Sequence, residues 1–91
     1  MFIFRWKLAV SEEQKARVVP AIRALQGQIP GLIETLVGTN VSAKSPGYAL
    51  GGAMKFEDKA AFDGYGPHPA HVALLEWLMP LIDAVEADFQ P

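Results

Sequence analysis

The chain has 91 residues, 51% of them hydrophobic and 20% charged, with a formal charge of −2 and no cysteine. That length makes one domain, residues 1–91, with no room for a second. The charge balance shows no basic patch or arm and so argues against nucleic acid as the main partner. The missing thiols exclude a disulfide framework, a thiol nucleophile and a thiolate metal site.

Residues 1–8 read as a strand, because Phe2, Phe4 and Trp6 alternate with Ile3, Arg5 and Lys7. One face is aromatic and is expected to serve the bare side of a sheet and a subunit contact, with pocket lining as the other reading. The apolar start is short and is followed at once by Arg5 and Lys7. It has neither the length of a membrane span nor the layout of a signal peptide. The absence of cysteine fits a cytoplasmic location, which is the expectation.

Ser11 with Gln14 three residues later forms a capping box, and Glu12 and Glu13 suit the positive end of a helix dipole. The helix is expected over Glu12 to Leu25, with Val18, Val19, Ile22 and Leu25 as its apolar stripe. Pro20 removes one backbone bond and predicts a kink rather than a stop, since the stripe continues on both sides. Gly27 ends the helix and Pro30-Gly31 makes a turn. Leu32 to Thr39 alternates as a second strand, placing Leu32 with Glu34, Leu36 and Gly38. Asn40 to Gly47 is a polar loop.

Tyr48 to Phe56 is the third strand. Gly51-Gly52 weakens it, and Gly52, on the face of Leu50, Met54 and Phe56, marks either close packing or a hollow. Asp58 caps a short helix through Phe62. A longer helix runs from Pro69, at a favoured first-turn position, to Met79, with Leu74, Leu75 and Leu78 as its core face and Trp77 packing beside them. Ile82 to Phe89 alternates again as the fourth strand, although its alanines and acids also permit a helix.

The order β-α-β-β-α-β is the ferredoxin-like arrangement of the α+β class: a four-stranded antiparallel sheet with its helices on one face. At this size a protomer buries only about 60–65% of its unfolded surface. The other sheet face would stay apolar and wet unless a second copy covered it. A homodimer through the sheet face, a dimeric alpha-beta barrel, is therefore expected.

Both histidines lie in Tyr65-Gly66-Pro67-His68-Pro69-Ala70-His71, where a loop becomes a helix. Acid/base chemistry near neutral pH would start here. His71 reads either as a general base beside the Tyr65 phenol or as a first-turn residue bonded to backbone. His68 reads as a cap or loop partner and is also counted among the ligand-binding residues, and Tyr65 reads as a ligand-orienting or a packed ring. Spaced three apart, the two imidazoles could hold a metal only with a third ligand, and neither Asp58 nor Asp63 has an obvious claim. No metal and no cofactor is expected.

The Tyr-x-x-His-Pro-x-His run, with Ile29-Pro30-Gly31, Gly38-Thr39-Asn40, the Phe56 strand end and Asp88-Phe89 in order around it, resembles the stress-responsive A/B barrel (Dabb) domain family of the dimeric alpha-beta barrel superfamily. The resemblance covers nearly the whole chain. It implies a homodimer of ferredoxin-like protomers. Most members have no assigned reaction, so a protein binding a small hydrophobic molecule is the first functional expectation. The alternative follows from a plant polyketide cyclase in the family, which closes a ring by cofactor-free aldol chemistry. It implies His71 as base and Tyr65 as hydrogen-bond donor. Its apolar pocket would fall on Phe2, Phe4, Val18, Val19, Ile22, Gly52, Met54 and Ile82. The chain departs from that enzyme at the first strand, which lacks its histidine, and at Ile22, where the cyclase has a tyrosine. Pro20 and Gly52 also alter the wall.

Overall fold

An aromatic at every second position builds β1 (Phe2–Trp6) in the computed structural model, which describes residues 1–91. Then follow α1 (Glu12–Arg23), β2 (Leu32–Thr39), β3 (Leu50–Phe56), α2 (Lys59–Tyr65), α3 (Pro69–Leu78), a 3-10 turn (Met79–Leu81) and β4 (Ile82–Glu86). The sheet order is β2-β3-β1-β4, with every neighbouring pair antiparallel. This is the ferredoxin-like α+β arrangement, with three helices where the sequence places them: a long one after β1, a short one capped by Asp58 and a longer one starting at Pro69.

Local chemistry sets the helix starts. Ser11 Oγ accepts from the Gln14 amide and Gln14 Oε1 accepts from the Ser11 amide, at 3.1 and 2.9 Å. Asp58 Oδ1 accepts from the Ala61 amide at 2.8 Å. Each such cap removes an unpaired donor and is worth about 1 kcal/mol. α1 passes through Pro20 and ends at Arg23, two residues short of expectation. Pro20 is exposed, so water can satisfy the carbonyl it leaves free. Gly27 and Gly31, with φ of 92° and 78°, take the left-handed turns that bring the chain back to the sheet.

Three strands differ from the sequence pattern. β2 carries a bulge: Leu32 pairs with Phe56 and Glu34 with Lys55, leaving Ile33 as an extra residue. The bulge moves Leu32 onto the face of Thr35 and Val37, so Leu32 and Val37 are buried while Leu36 is exposed. β3 starts at Leu50, because Tyr48 belongs to the loop that Asn40 organises. Asn40 Nδ2 donates to Ser45 Oγ and the Tyr48 carbonyl at 2.9 and 3.0 Å. β4 is a strand but stops at Glu86, and Phe89 beyond it is exposed.

The core lies between the sheet and the helices. Val18 and Ile22 of α1 are fully buried against Phe4, Leu50 and Ile82 of the sheet and Leu74 and Leu78 of α3. Burying each such side chain contributes about 1.5–3 kcal/mol. Phe2 and Trp6 pack against this same core. The β1 aromatics therefore face the helices, contrary to the expectation that they serve the bare face. Trp77 packs at the core margin, with the Arg17 guanidinium 3.9 Å over its ring, tying α3 to α1.

Candidate functional site

The helix-facing side of β1 and β4 does not close completely on α1 and α3. A cavity of about 40 Å³ remains, and 12 of its 14 lining residues are hydrophobic. Phe2, Phe4, Ile22, Met54 and Ile82 line it, together with Tyr65 and His71. As it stands it has room for a water or two. Sites for larger ligands run to roughly 300 Å³ or more. Two of its walls are methionines, Met54 and Met79, and the latter is half exposed. Unbranched thioether chains re-pack more readily than leucine or valine, so this is the adaptable side.

The loop-to-helix junction positions the imidazoles differently from one another. His68 is the N-cap of α3: its Nδ1 accepts the Ala70 amide at 3.1 Å. It lies outside the cavity lining. His71, in the first turn, has Nδ1 3.0 Å from the Gly66 carbonyl oxygen. A carbonyl only accepts, so Nδ1 carries the proton and the neutral ring has its lone pair on Nε2. Tyr65 closes α2 and packs against His71 with ring centroids 4.0 Å apart and the planes tilted by 33°, while Phe56 packs on it at 5.2 Å. Gly64 lies within α2, and Gly66, its C-cap, keeps right-handed helical angles. Burial first, then the charges of Glu86 and Asp88, push the Tyr65 phenol up to about 12. It stays a neutral donor far above physiological pH.

Three residues that the resemblance assigned to the pocket are placed elsewhere. Val18 is sealed in the core with no exposure, and Val19 packs at its margin. Gly52 is not a hollow: a Cβ there would collide with the Phe2 ring and stand 2.7 Å from the Leu36 carbonyl oxygen. Phe2 pairs with Gly52 across the strands and lays its ring over it, stacked on Phe4 with centroids 4.8 Å apart. Sequence reasoning missed Glu86, the one carboxylate in the lining. Its alternation with Ile82 and Ala84 carried the signal, since all three share the helix-facing side of β4. No group of three or more His, Asp or Glu side chains gathers where a metal could bind.

Comparison with known proteins places this geometry. A dimeric ferredoxin-like protein of unknown function from Thermobifida fusca is 27% identical, with a TM-score of 0.78 over 92% of this chain and 80% of that one. A Dabb family protein with a ferredoxin-like fold from Mesorhizobium loti is 27% identical, with a TM-score of 0.83 over 99% of this chain and 91% of that one. A hydroxynitrile lyase from Passiflora edulis is 18% identical, with a TM-score of 0.78 over 99% and 93%, a likeness that speaks to fold alone. No protein with a curated description matches. Residues 1–91 match the family described as Stress responsive A/B Barrel Domain, and the chain belongs to that family.

Proposed function

We propose that this chain is a single-domain, cytoplasmic homodimer that binds a small hydrophobic molecule between its sheet and its helices. The observation that carries this reading is the apolar cavity into which the Tyr65–His71 pair opens. A ligand enters by displacing Met54 and Met79. The test is a titration of small aromatic alcohols followed on the methionine methyl resonances. Saturable shifts at Met54 and Met79 support binding; unmoved methyls at saturating ligand reject it.

The dimer is proposed to form through the sheet face opposite the helices. There Gly38, Gly51, Ile3 and Val85 stand in one row across the four strands, and Leu36 sits beside Ala53 in the next. Leu36 and Val85 are more than half exposed. Charge pairs bound this apolar strip: Glu34 opposite Lys55 at one end, and Arg5 bonded to Asp83 at 3.3 Å at the other. A shallow depression of about 190 Å³ lies at the β1–β4 seam, lined by Ile3 and Val85 of this face and by Phe2 and Glu86 of the other. The dimeric neighbour of the same fold supports this reading.

A second reading is favoured by the His71 tautomer. With Nδ1 committed to Gly66, Nε2 is free to take a proton from a carbon beside a carbonyl. Tyr65 donates a hydrogen bond to the enolate oxygen. The enolate carbon then bonds to a second carbonyl carbon of the same molecule, and the new alkoxide recovers the proton from the imidazolium. This aldol ring closure needs no cofactor. Turnover of β-polyketones by wild type, lost in His71→Ala and reduced in Tyr65→Phe, supports it. Undiminished turnover in His71→Ala removes His71 as the base.

A further inference from the structure

One carboxylate interrupts the apolar lining of the cavity. Its ionisable neighbours are Tyr65, His71 and Glu86, and no lysine or arginine lines it. Five of the eight basic side chains are engaged elsewhere. Arg5 pairs with Asp83 on the opposite sheet face, Lys59 with Asp63 on α2, and Lys15 with Glu12. Arg17 covers Trp77, and Arg23 donates to the Val37 carbonyl. The amino terminus is exposed and bonded to the Ala87 carbonyl at 2.8 Å. Glu86 is the last residue of β4, opposite Phe2 across the strand pair, on the side of Ile82 and Ala84. Its charge therefore stands at the cavity with no lining cation to neutralise it.

We infer that Glu86 is the specificity-determining residue of this cavity, admitting uncharged or cationic apolar ligands and turning away carboxylates and phosphates. The inference rests on the ligand-binding reading above. The field at Tyr65 agrees with it in sign, for Glu86 and Asp88 both oppose a second negative charge at that phenol. A neutral carbonyl compound meets a hydrogen-bond donor in Tyr65 and no repulsion. An anion of the same shape meets the exposed Glu86 carboxylate at the cavity rim, where like charges repel through a largely aqueous medium.

The experiment uses three probes of one shape: benzyl alcohol, benzylamine and benzoate, each titrated against the full chain with the Met54 and Met79 methyl resonances as readout. Repulsion across a few ångströms in a water-like medium predicts that benzoate binds at least about fivefold more weakly than benzyl alcohol. Glu86→Gln is expected to bring the two within about twofold, and Glu86→Lys to favour benzoate. Benzoate binding as tightly as the alcohol to wild type, or a gap unchanged in Glu86→Gln, overturns charge selection while leaving the ligand cavity standing. If none of the three moves either methyl, the cavity reading falls and this inference with it.

Discussion

At Tyr65 the surroundings have a consequence that titration can read. Its phenol is raised from 10.0 to about 12, so the folded chain holds a proton that the unfolded chain has released. Over that window the native state binds more protons, and stability must fall as pH rises from 10.0 toward 12, while below 10.0 this group contributes no pH dependence. Tyrosinate absorbance in a Tyr48→Phe background is expected to show Tyr65 titrating about two units late. Glu86→Gln should bring it partway back, because burial is the larger cause and remains. Gly52 makes a second residue-scale case. Gly52→Ala forces the Phe2 ring aside and crowds the Leu36 carbonyl, a small-to-large change expected to cost roughly 1–3 kcal/mol in denaturant unfolding. In a Phe2→Ala background the penalty should shrink without vanishing, since the carbonyl stays. The sequence showed that Gly52 lacks a side chain where one belongs, but not what fills the gap. That answer needs the strand register that sets Phe2 opposite Gly52, and register is a tertiary fact. Glu86 was hidden in the same way: its face could be read, but not the cavity beneath it.

Among the elements, the starts and turns were legible because their chemistry is local. The Ser11–Gln14 box, the Asp58 cap, Pro69 at the first turn and the Gly31 turn all stand where their residue types demand. The strands were legible in number and order but not in detail. A bulge at Ile33 breaks the period of two and reverses the side that Leu32 faces, and no residue there announces it. The β1–α1 connection holds one strained position. Ala9 adopts φ of 66° in an exposed loop, a left-handed conformation that costs a residue with a Cβ about 1 kcal/mol or more. Ala9→Gly relieves that strain and gives back part of it through greater freedom in the unfolded chain. The net expected is a gain of roughly 0.5 kcal/mol, or a few degrees in Tm for a chain of this size. Differential scanning calorimetry would read it, and an unchanged or lowered Tm would mean that Ala9 is not strained in solution.

For the whole molecule, the two sheet faces divide the labour. One carries the core and the cavity, and the β1 aromatics belong to it. That choice could not be made from alternation alone, because both faces of β1 begin apolar. The other face keeps Ile3, Leu36, Ala53 and Val85 between charged ends, with Gly38 and Gly51 flattening the middle. In a two-fold contact each residue on this face acts twice, so one substitution places two like charges in the proposed interface. Leu36→Lys is the sharpest probe, since Leu36 is 57% exposed and outside the core cluster. The protomer should keep its fold, seen as unchanged far-ultraviolet circular dichroism, while sedimentation equilibrium moves from dimer to monomer at micromolar concentration. Val72→Lys, on the exposed side of α3 away from the sheet, is expected to leave the dimer intact. A wild-type chain that sediments as a folded monomer would refute the sheet-to-sheet contact. A Leu36→Lys chain that stays dimeric would move the contact to another surface. Because the cavity lies wholly on the helix side, the Leu36→Lys monomer should still shift the Met54 and Met79 methyls with benzyl alcohol, which separates the assembly from the site.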